Sequence, residues 1–218
     1  VNSTVELATL SAKSGVKKFV FISSVKAGGK PALGKCFSES NQEVPDGIYG
    51  ETKRKAEIAI LKIGEAYGMK ISIIRPSLVY GPNVKGNLNS MLAAIEKGWF
   101  PPLPKIKNKR SMIHVDDLVR LIYLIALNEE SNIKIFIATD GQTYSSRDIY
   151  EAMCKALLKP VPCWNIPKLF FALIAFFSPR IEYKVNKLLG DECYYSNHLN
   201  EIGFQAQRTL EEMNETSF

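Results

Sequence analysis

The sequence predicts an α/β protein built on buried parallel strands, and three observations carry that expectation. The short apolar run Lys18 to Ser23 is rich in β-branched and aromatic residues and lacks polar alternation, the pattern of a strand covered on both faces, and Lys70 to Arg75 reads as another strand. Each follows a stretch of helical spacing that closes on a glycine, Gly15 or Gly68, the residue best suited to a left-handed helix end. The 218 residues are 46% hydrophobic and 23% charged, which provides an ordinary globular core and excludes disorder, collagen and a disulfide-dense miniprotein.

In the first unit Val5, Leu7 or Ala8, and Ala12 share a helical face, so a helix ends near Ser14 and a strand follows. Lys26 to Gly47 is punctuated by Gly28-Gly29, Pro31, Gly34, Pro45 and Asp46-Gly47, which spells a long loop, and long loops in compact domains usually serve function. From Ile48 to Tyr67 the residues Ala56, Ala59 or Ile60, Ile63 and Tyr67 recur in helical step before the second strand, which ends at Pro76. A helix from about Asn87 to Lys97, a proline-rich turn at Pro101 to Pro104 and a basic stretch Lys105 to Arg110 come next. Ile113 to Val115 reads as a short strand, Asp116 as N-cap of a helix from Asp117 to Asn128, Ile133 to Ala138 as a strand, and Ser145 to Asp148 as the opening of a helix reaching Leu158. Beyond Pro160 the pattern weakens into helices and short links of a smaller mixed lobe.

Lys and Arg total 28 against 22 Asp and Glu, a net charge of +6 that favours anionic ligands. The basic residues are scattered and no recognition motif appears, so no nucleic-acid partner is expected. Cys36, Cys154, Cys163 and Cys193 form no CxxC pair and have no neighbouring histidine, which predicts free thiols in a reducing cytoplasm and no metal site. The apolar run Leu169 to Phe177 is less than half of the ~20 residues a membrane span needs, and it reads as a buried or surface-docking helix with peripheral membrane contact as an alternative. The chain opens on Val1 rather than Met, consistent with a start inside a longer protein.

Tyr49 and Lys53 lie four residues apart at the start of a helix, one turn apart on one face. A lysine ammonium there favours the phenolate, making the tyrosine a usable proton donor and acceptor near neutrality. Tyr183 and Lys187 repeat the spacing, so spacing alone equally fits a packed tyrosine beside a solvated lysine. What separates the two pairs is the strand upstream: Ser23 and Ser24 end the first strand, where the carboxyl edge of a parallel sheet forms ligand crevices.

The chain resembles the extended short-chain dehydrogenase/reductases that act on nucleotide sugars. The resemblance runs from Val1 to the tail and rests on Gly15 to Lys26, Tyr49-Gly-Glu-Thr-Lys53, Arg75-Pro-Ser-Leu-Val-Tyr-Gly-Pro82, Arg110-Ser-Met-Ile-His-Val-Asp-Asp-Leu118 and Leu199-Asn-Glu-Ile-Gly-Phe204. Ser-Ser-Val-Lys at Ser23 to Lys26 and the Val84 to Leu88 segment look most like the UDP-sugar 4-epimerase and 4-keto-sugar reductase branch of surface-polysaccharide synthesis. The resemblance implies the C-terminal part of a Rossmann-like doubly wound parallel sheet plus a smaller mixed α/β substrate-binding lobe. Residues 1–82 would belong to the sheet domain and 83–218 mainly to the lobe, with 111–140 returning to the sheet.

Carried over, the resemblance makes Tyr49 the acid/base at the sugar C4 oxygen, Lys53 the holder of the nicotinamide ribose and Ser24 the donor to the reacting oxygen. Ser23 and the stretch Pro76, Ser77, Leu78 and Val79 would contact the nicotinamide end of NAD or NADP, the latter stretch otherwise being a plain strand-end turn. Asn87 and Arg110 would contact the UDP moiety, as a helix start and a guanidinium both suit a diphosphate. Their alternatives are a helix cap and part of a solvated basic run, and Lys105, Lys107 and Lys109 are expected in solvent. His114 is expected to fix a turn. The resemblance also implies a cytoplasmic homodimer paired through the helix bearing Tyr49 and Lys53.

The sequence departs from the family at its start. No GxxGxxG occurs, Gly28-Gly29 sits in a loop, and Asn2 does not stand at the family's asparagine. The chain reads as the carboxyl-terminal two-thirds of such an enzyme. Two expectations follow: a complete protein that acts as an epimerase or reductase, or a truncated, non-catalytic relative whose 218 residues bind no NAD by themselves.

Overall fold

The computed structural model describes residues 1–128 and 135–212. Along the chain run α1 (Asn2–Lys13), β1 (Lys18–Ile22), α2 (Gly47–Tyr67), β2 (Lys70–Pro76), β3 (Leu78–Tyr80), α3 (Asn87–Glu96), β4 (Met112–His114), α4 (Val115–Leu127), β5 (Ile135–Ala138), α5 (Ser146–Ala156), α6 (Lys168–Phe176) and α7 (Pro179–Leu189). The α/β class is as expected. Of the strand expected over Ile133 to Ala138, its first two residues lie outside the described residues.

β1, β2 and β5 form a parallel sheet with β2 in the middle, Phe19 opposite Ile71 and Ile74 opposite Phe136. Alternation along β2 divides the core between two layers. Ile71 and Ile73 pack with Ala8 and Ile60, of α1 and α2, while Ile74 packs with Leu118, Leu121 and Ile125 of α4 and with Phe136. From Ile71 onward β2 is buried, but every residue of β1 is only half-buried. Both faces of β1 are covered as expected, Phe19 and Phe21 packing on the α1 and α2 side and Val20 and Ile22 on the α4 side, and the half-burial comes from its outer edge, which meets no strand among the described residues.

Immediately after β2, a second, two-stranded parallel sheet pairs Leu78, Val79 and Tyr80 with Met112, Ile113 and His114. The Leu78 and Val79 stretch is thus strand rather than plain turn. Around it, Tyr80, Leu88, Met91, Leu103, Met112, Tyr150, Met153 and Phe171 make the core of the lobe. The helix expected from Ser145 does begin there, with a full capping box between Ser145 and Asp148, and ends at Ala156.

The cap of α4 corrects another expectation. The N-cap is His114, not Asp116, because buried His114 Nδ1 accepts the Asp116 N–H at 3.1 Å. Burial, helped by Arg208 and opposed by Asp116 and Asp117, holds His114 below its ordinary 6.5. Above that pH the imidazole is neutral folded or unfolded; below it the unfolded chain takes up a proton that the folded residue resists, so stability falls between 6.5 and the lower folded value. Asp140, pushed up by burial to about 6, acts in the opposite sense over the carboxylate range. His114→Asn keeps an acceptor without the titration, so wild-type Tm should drop more than the variant's from about pH 7.5 to about pH 5.5. Parallel drops would remove His114 from the account.

The expectation of four free thiols also fails. Cys36 and Cys193 form a disulfide with Cα atoms 4.5 Å apart, while Cys154 and Cys163 are free. The two residues stand 157 positions apart, and a strand-like crossing joins them: Phe37 N–H donates to Cys193 O at 3.0 Å and Tyr195 N–H to Phe37 O at 2.9 Å. The cytoplasmic assignment loses the support that free cysteines lent it.

Candidate active site

The carboxyl end of β1 passes into a single 3-10 turn, Val25–Ala27, for which Ser24 is the N-cap, its Oγ accepting the Lys26 N–H at 3.3 Å. Ser23 is buried, and its Oγ has no hydrogen-bond partner among the described residues. Such an orphan hydroxyl at a strand's carboxyl end is free to serve a bound group.

α2 approaches this turn closely because residue 50 is glycine. A Cβ on Gly50 would lie 2.5 Å from the Lys26 carbonyl oxygen, a backbone atom that cannot step aside. One turn later Lys53 Nζ donates to Ile22 O at 2.9 Å, lies 5.0 Å from the Phe21 ring centroid and 5.8 Å from that of Tyr49. The helix is thus tied to the chain two residues before Ser24 and two residues after it, which brings Ser24, Tyr49 and Lys53 to one place. Tyr49 is 55% exposed. Burial pushes the Lys53 ammonium below its ordinary range, with the Glu57 charge opposing.

The long loop over residues 26–47 is pinned at both ends. Lys26 Nζ meets Asp46 Oδ2 at 2.7 Å, and the Asp46 N–H donates to Lys26 O at 2.9 Å. Glu39 anchors the middle: its carboxylate accepts the Ile137 N–H at 2.9 Å, the Asn197 N–H at 3.0 Å and the Ser196 hydroxyl. Asp191 accepts the N–H groups of Gly34 and Lys109, both at 2.8 Å, joining the loop to the lobe. Sequence reasoning passed over Glu39 and Asp191, because their partners are distant backbone groups that leave no local signal.

The other expected contacts fall in varied settings. Pro76 and Ser77 are buried where β2 ends, and Ser77 donates through both N–H and Oγ to Ala138 O, at 3.0 and 2.9 Å. Leu78 and Val79 are half-buried in β3, which leaves their backbone partly committed to β4. Asn87 is exposed as the first residue of α3, behind Gly86 at φ +72°. Arg110 does not belong to a solvated run: it is buried, its Nη2 meeting Glu192 Oε2 at 2.8 Å and its Nη1 donating to Lys187 O at 2.6 Å. Its Nε has no partner among the described residues. Lys105, Lys107 and Lys109 are exposed.

Among the described residues no group of His, Cys, Asp and Glu could hold a metal ion. For a dinucleotide, the described residues fit one end. Orphan Ser23 Oγ and the Lys53 ammonium suit the nicotinamide and its ribose, whereas no glycine-rich turn is present to receive the pyrophosphate.

The chain is 34% identical to a UDP-glucose 4-epimerase of Vibrio cholerae over 96% of its own length and 64% of the relative's. It is 27% identical, over 77% of the chain and 50% of the relative, to the N-acetyl-alpha-D-glucosaminyl-diphospho-ditrans,octacis-undecaprenol 4-epimerase of Escherichia coli O157:H7. The chain therefore spans less than two-thirds of these relatives. Among solved structures, UDP-glucose 4-epimerase of Thermotoga maritima with UDP-glucose superposes with a TM-score of 0.76 at 21% identity, covering 98% of this chain and 66% of that one. UDP-N-acetylglucosamine 4-epimerase of Methanobrevibacter ruminantium gives 0.73 at 19%, covering 99% and 66%. These likenesses establish the Rossmann-like fold. Residues 1–138 match the NAD dependent epimerase/dehydratase family, and with Ser24, Tyr49 and Lys53 gathered at the end of a parallel strand, the chain belongs to that family.

Proposed function

We propose that the complete protein is an NAD(P)-dependent enzyme acting at C4 of a UDP-hexose or UDP-N-acetylhexosamine, as a 4-epimerase or 4-keto reductase. The observation that carries this reading is the double tie of α2 to the Ser24 turn, through Gly50 against Lys26 O and through Lys53 on Ile22 O. The relatives named as 4-epimerases support the choice of C4.

NAD, when bound, supplies the hydride acceptor and donor. This chain's residues handle the rest. Tyr49 takes the proton from the C4 hydroxyl and returns it, Ser24 donates a hydrogen bond to the same oxygen, and the Lys53 ammonium holds the ribose. Ser23 and the Pro76 to Val79 stretch border the nicotinamide. Asn87 and Arg110 border the diphosphate, Arg110 with its spare Nε. A nucleotide-sugar substrate places the reaction in the cytoplasm, and pairing of two copies through α2 would use its exposed face at Ile58.

The test is NMR of the C4 configuration after incubating the full-length protein with UDP-glucose or UDP-N-acetylglucosamine. Conversion to the C4 epimer without added cofactor, cofactor being retained on the protein, identifies an epimerase; consumption of NADPH with a 4-keto sugar identifies a reductase. Absence of the C4 epimer from either sugar together with no NADPH consumption on a UDP-4-keto sugar, at saturating cofactor, would refute the reading.

A further inference from the structure

α6 is apolar on the side that faces away from the protein. Phe171 alone of the helix is buried, packed into the lobe core with Met91 and Met153. Leu169, Phe170, Leu173, Phe176 and Phe177 occupy positions i, i+1, i+4, i+7 and i+8, one continuous stripe, and all are exposed, Leu169 at 72%, Phe176 at 89% and Phe177 at 81%. A helix of ordinary surface character places charged residues on that stripe. Leaving five large apolar side chains in water is costly, and contiguous apolar patches of this kind mark interaction surfaces.

The surroundings identify the occupant. Exposed Lys168 opens the helix and exposed Arg180 follows the stripe by three residues, so both ends carry a cation. On α7 the residues Arg180, Tyr183, Lys184 and Lys187 recur at i, i+3, i+4 and i+7, a basic stripe on the neighbouring helix, with Lys187 Nζ 5.8 Å from the Tyr183 ring centroid. Trp164, exposed, precedes α6. Glu182 is the one carboxylate between Pro160 and Gly190, and it lines a cavity of about 550 Å³ between α6 and α7, alongside Phe171, Ala175 and Val185. A second protein copy would meet its own positive charge across this face, whereas an anionic bilayer matches both features: phenylalanines and leucines enter the acyl boundary while lysine and arginine meet the headgroups. Among the described residues no helix is long and apolar enough to cross a membrane.

We infer that α6, with the cations at its ends and on α7, docks the protein on the surface of an anionic lipid bilayer. The inference does not depend on the C4 chemistry. Sedimentation of the full-length protein with vesicles tests it, using phosphatidylglycerol mixed into phosphatidylcholine against phosphatidylcholine alone. Wild type should sediment with the anionic vesicles, and Leu169→Glu with Phe177→Glu should lower the bound-to-free ratio about tenfold or more. Lys168→Glu with Arg180→Glu should also lower it and flatten its dependence on salt around 0.1 M. All four side chains are exposed, so thermal melts of both variants should match wild type. The inference is overturned if wild type stays in the supernatant with anionic vesicles, or if the Leu169 and Phe177 variant sediments equally. It is also overturned if analytical ultracentrifugation shows a dimer that this variant disperses while vesicles bind neither protein, which would assign the face to a second copy.

Discussion

Tyr49→Phe is expected to lower kcat of the complete protein by about 10²–10⁴-fold, the usual worth of a positioned proton donor, with KM changed little. The substitution removes one oxygen from a side chain that is 55% exposed and takes nothing from the ties of α2 to β1, because those run through Gly50 and Lys53. Thermal stability should therefore match wild type, which separates lost chemistry from lost structure. Residual activity within about tenfold of wild type would mean that the proton is handled elsewhere.

The second large effect concerns what holds α2 in place. Arg75 and Glu57 form a bidentate pair, Nε to Oε1 at 2.9 Å and Nη2 to Oε2 at 2.6 Å, with side chains 1% and 2% exposed. The pair locks the middle of α2 to the end of β2, beneath the start of the long loop: a Cβ on Gly28 would come 2.9 Å from Arg75 Nη1, and Gln42 accepts Nη2 at 3.2 Å. Glu57→Leu strands a buried guanidinium, and the expected cost is about 3–5 kcal/mol. The double replacement Glu57→Leu with Arg75→Met removes both charges, so it should recover most of that loss even though it lacks the ion pair. Urea unfolding of the three proteins decides the matter, read as a shift of midpoint at constant slope. A single variant within about 1 kcal/mol of wild type would show that water reaches the guanidinium.

Where structure arises from neighbours in sequence, the reading was close. Helical spacing and the closing glycines located α1 and α2, and Gly15 and Gly68 do adopt positive φ, at +79° and +67°. An unbroken apolar run located β1 and the isoleucine-rich stretch before Pro76 located β2, and the site followed because Ser24 closes the first run while Tyr49 and Lys53 share the next helical face. His114 was correctly expected to fix a turn, but the cap was assigned to Asp116, since an imidazole capping its own helix leaves a weaker imprint than an aspartate.

What the sequence by itself determined, then, is the alternation of helix and strand, the family, and the three side chains that carry the proposed chemistry, all encoded by spacings of a few residues. Only the tertiary structure decided what lies far apart along the chain. It left β1 half-exposed at the sheet edge, drew Cys36 to Cys193, and turned Arg110 from a surface cation into a buried partner of Glu192. It also decided which side of α6 faces the core, because a helix apolar nearly all round carries no periodic signal, and burial of Phe171 alone sets Leu169 and Phe177 in solvent. The physical reason is common to all four: local periodicity records the geometry of one element, whereas burial and pairing depend on which other elements pack against it.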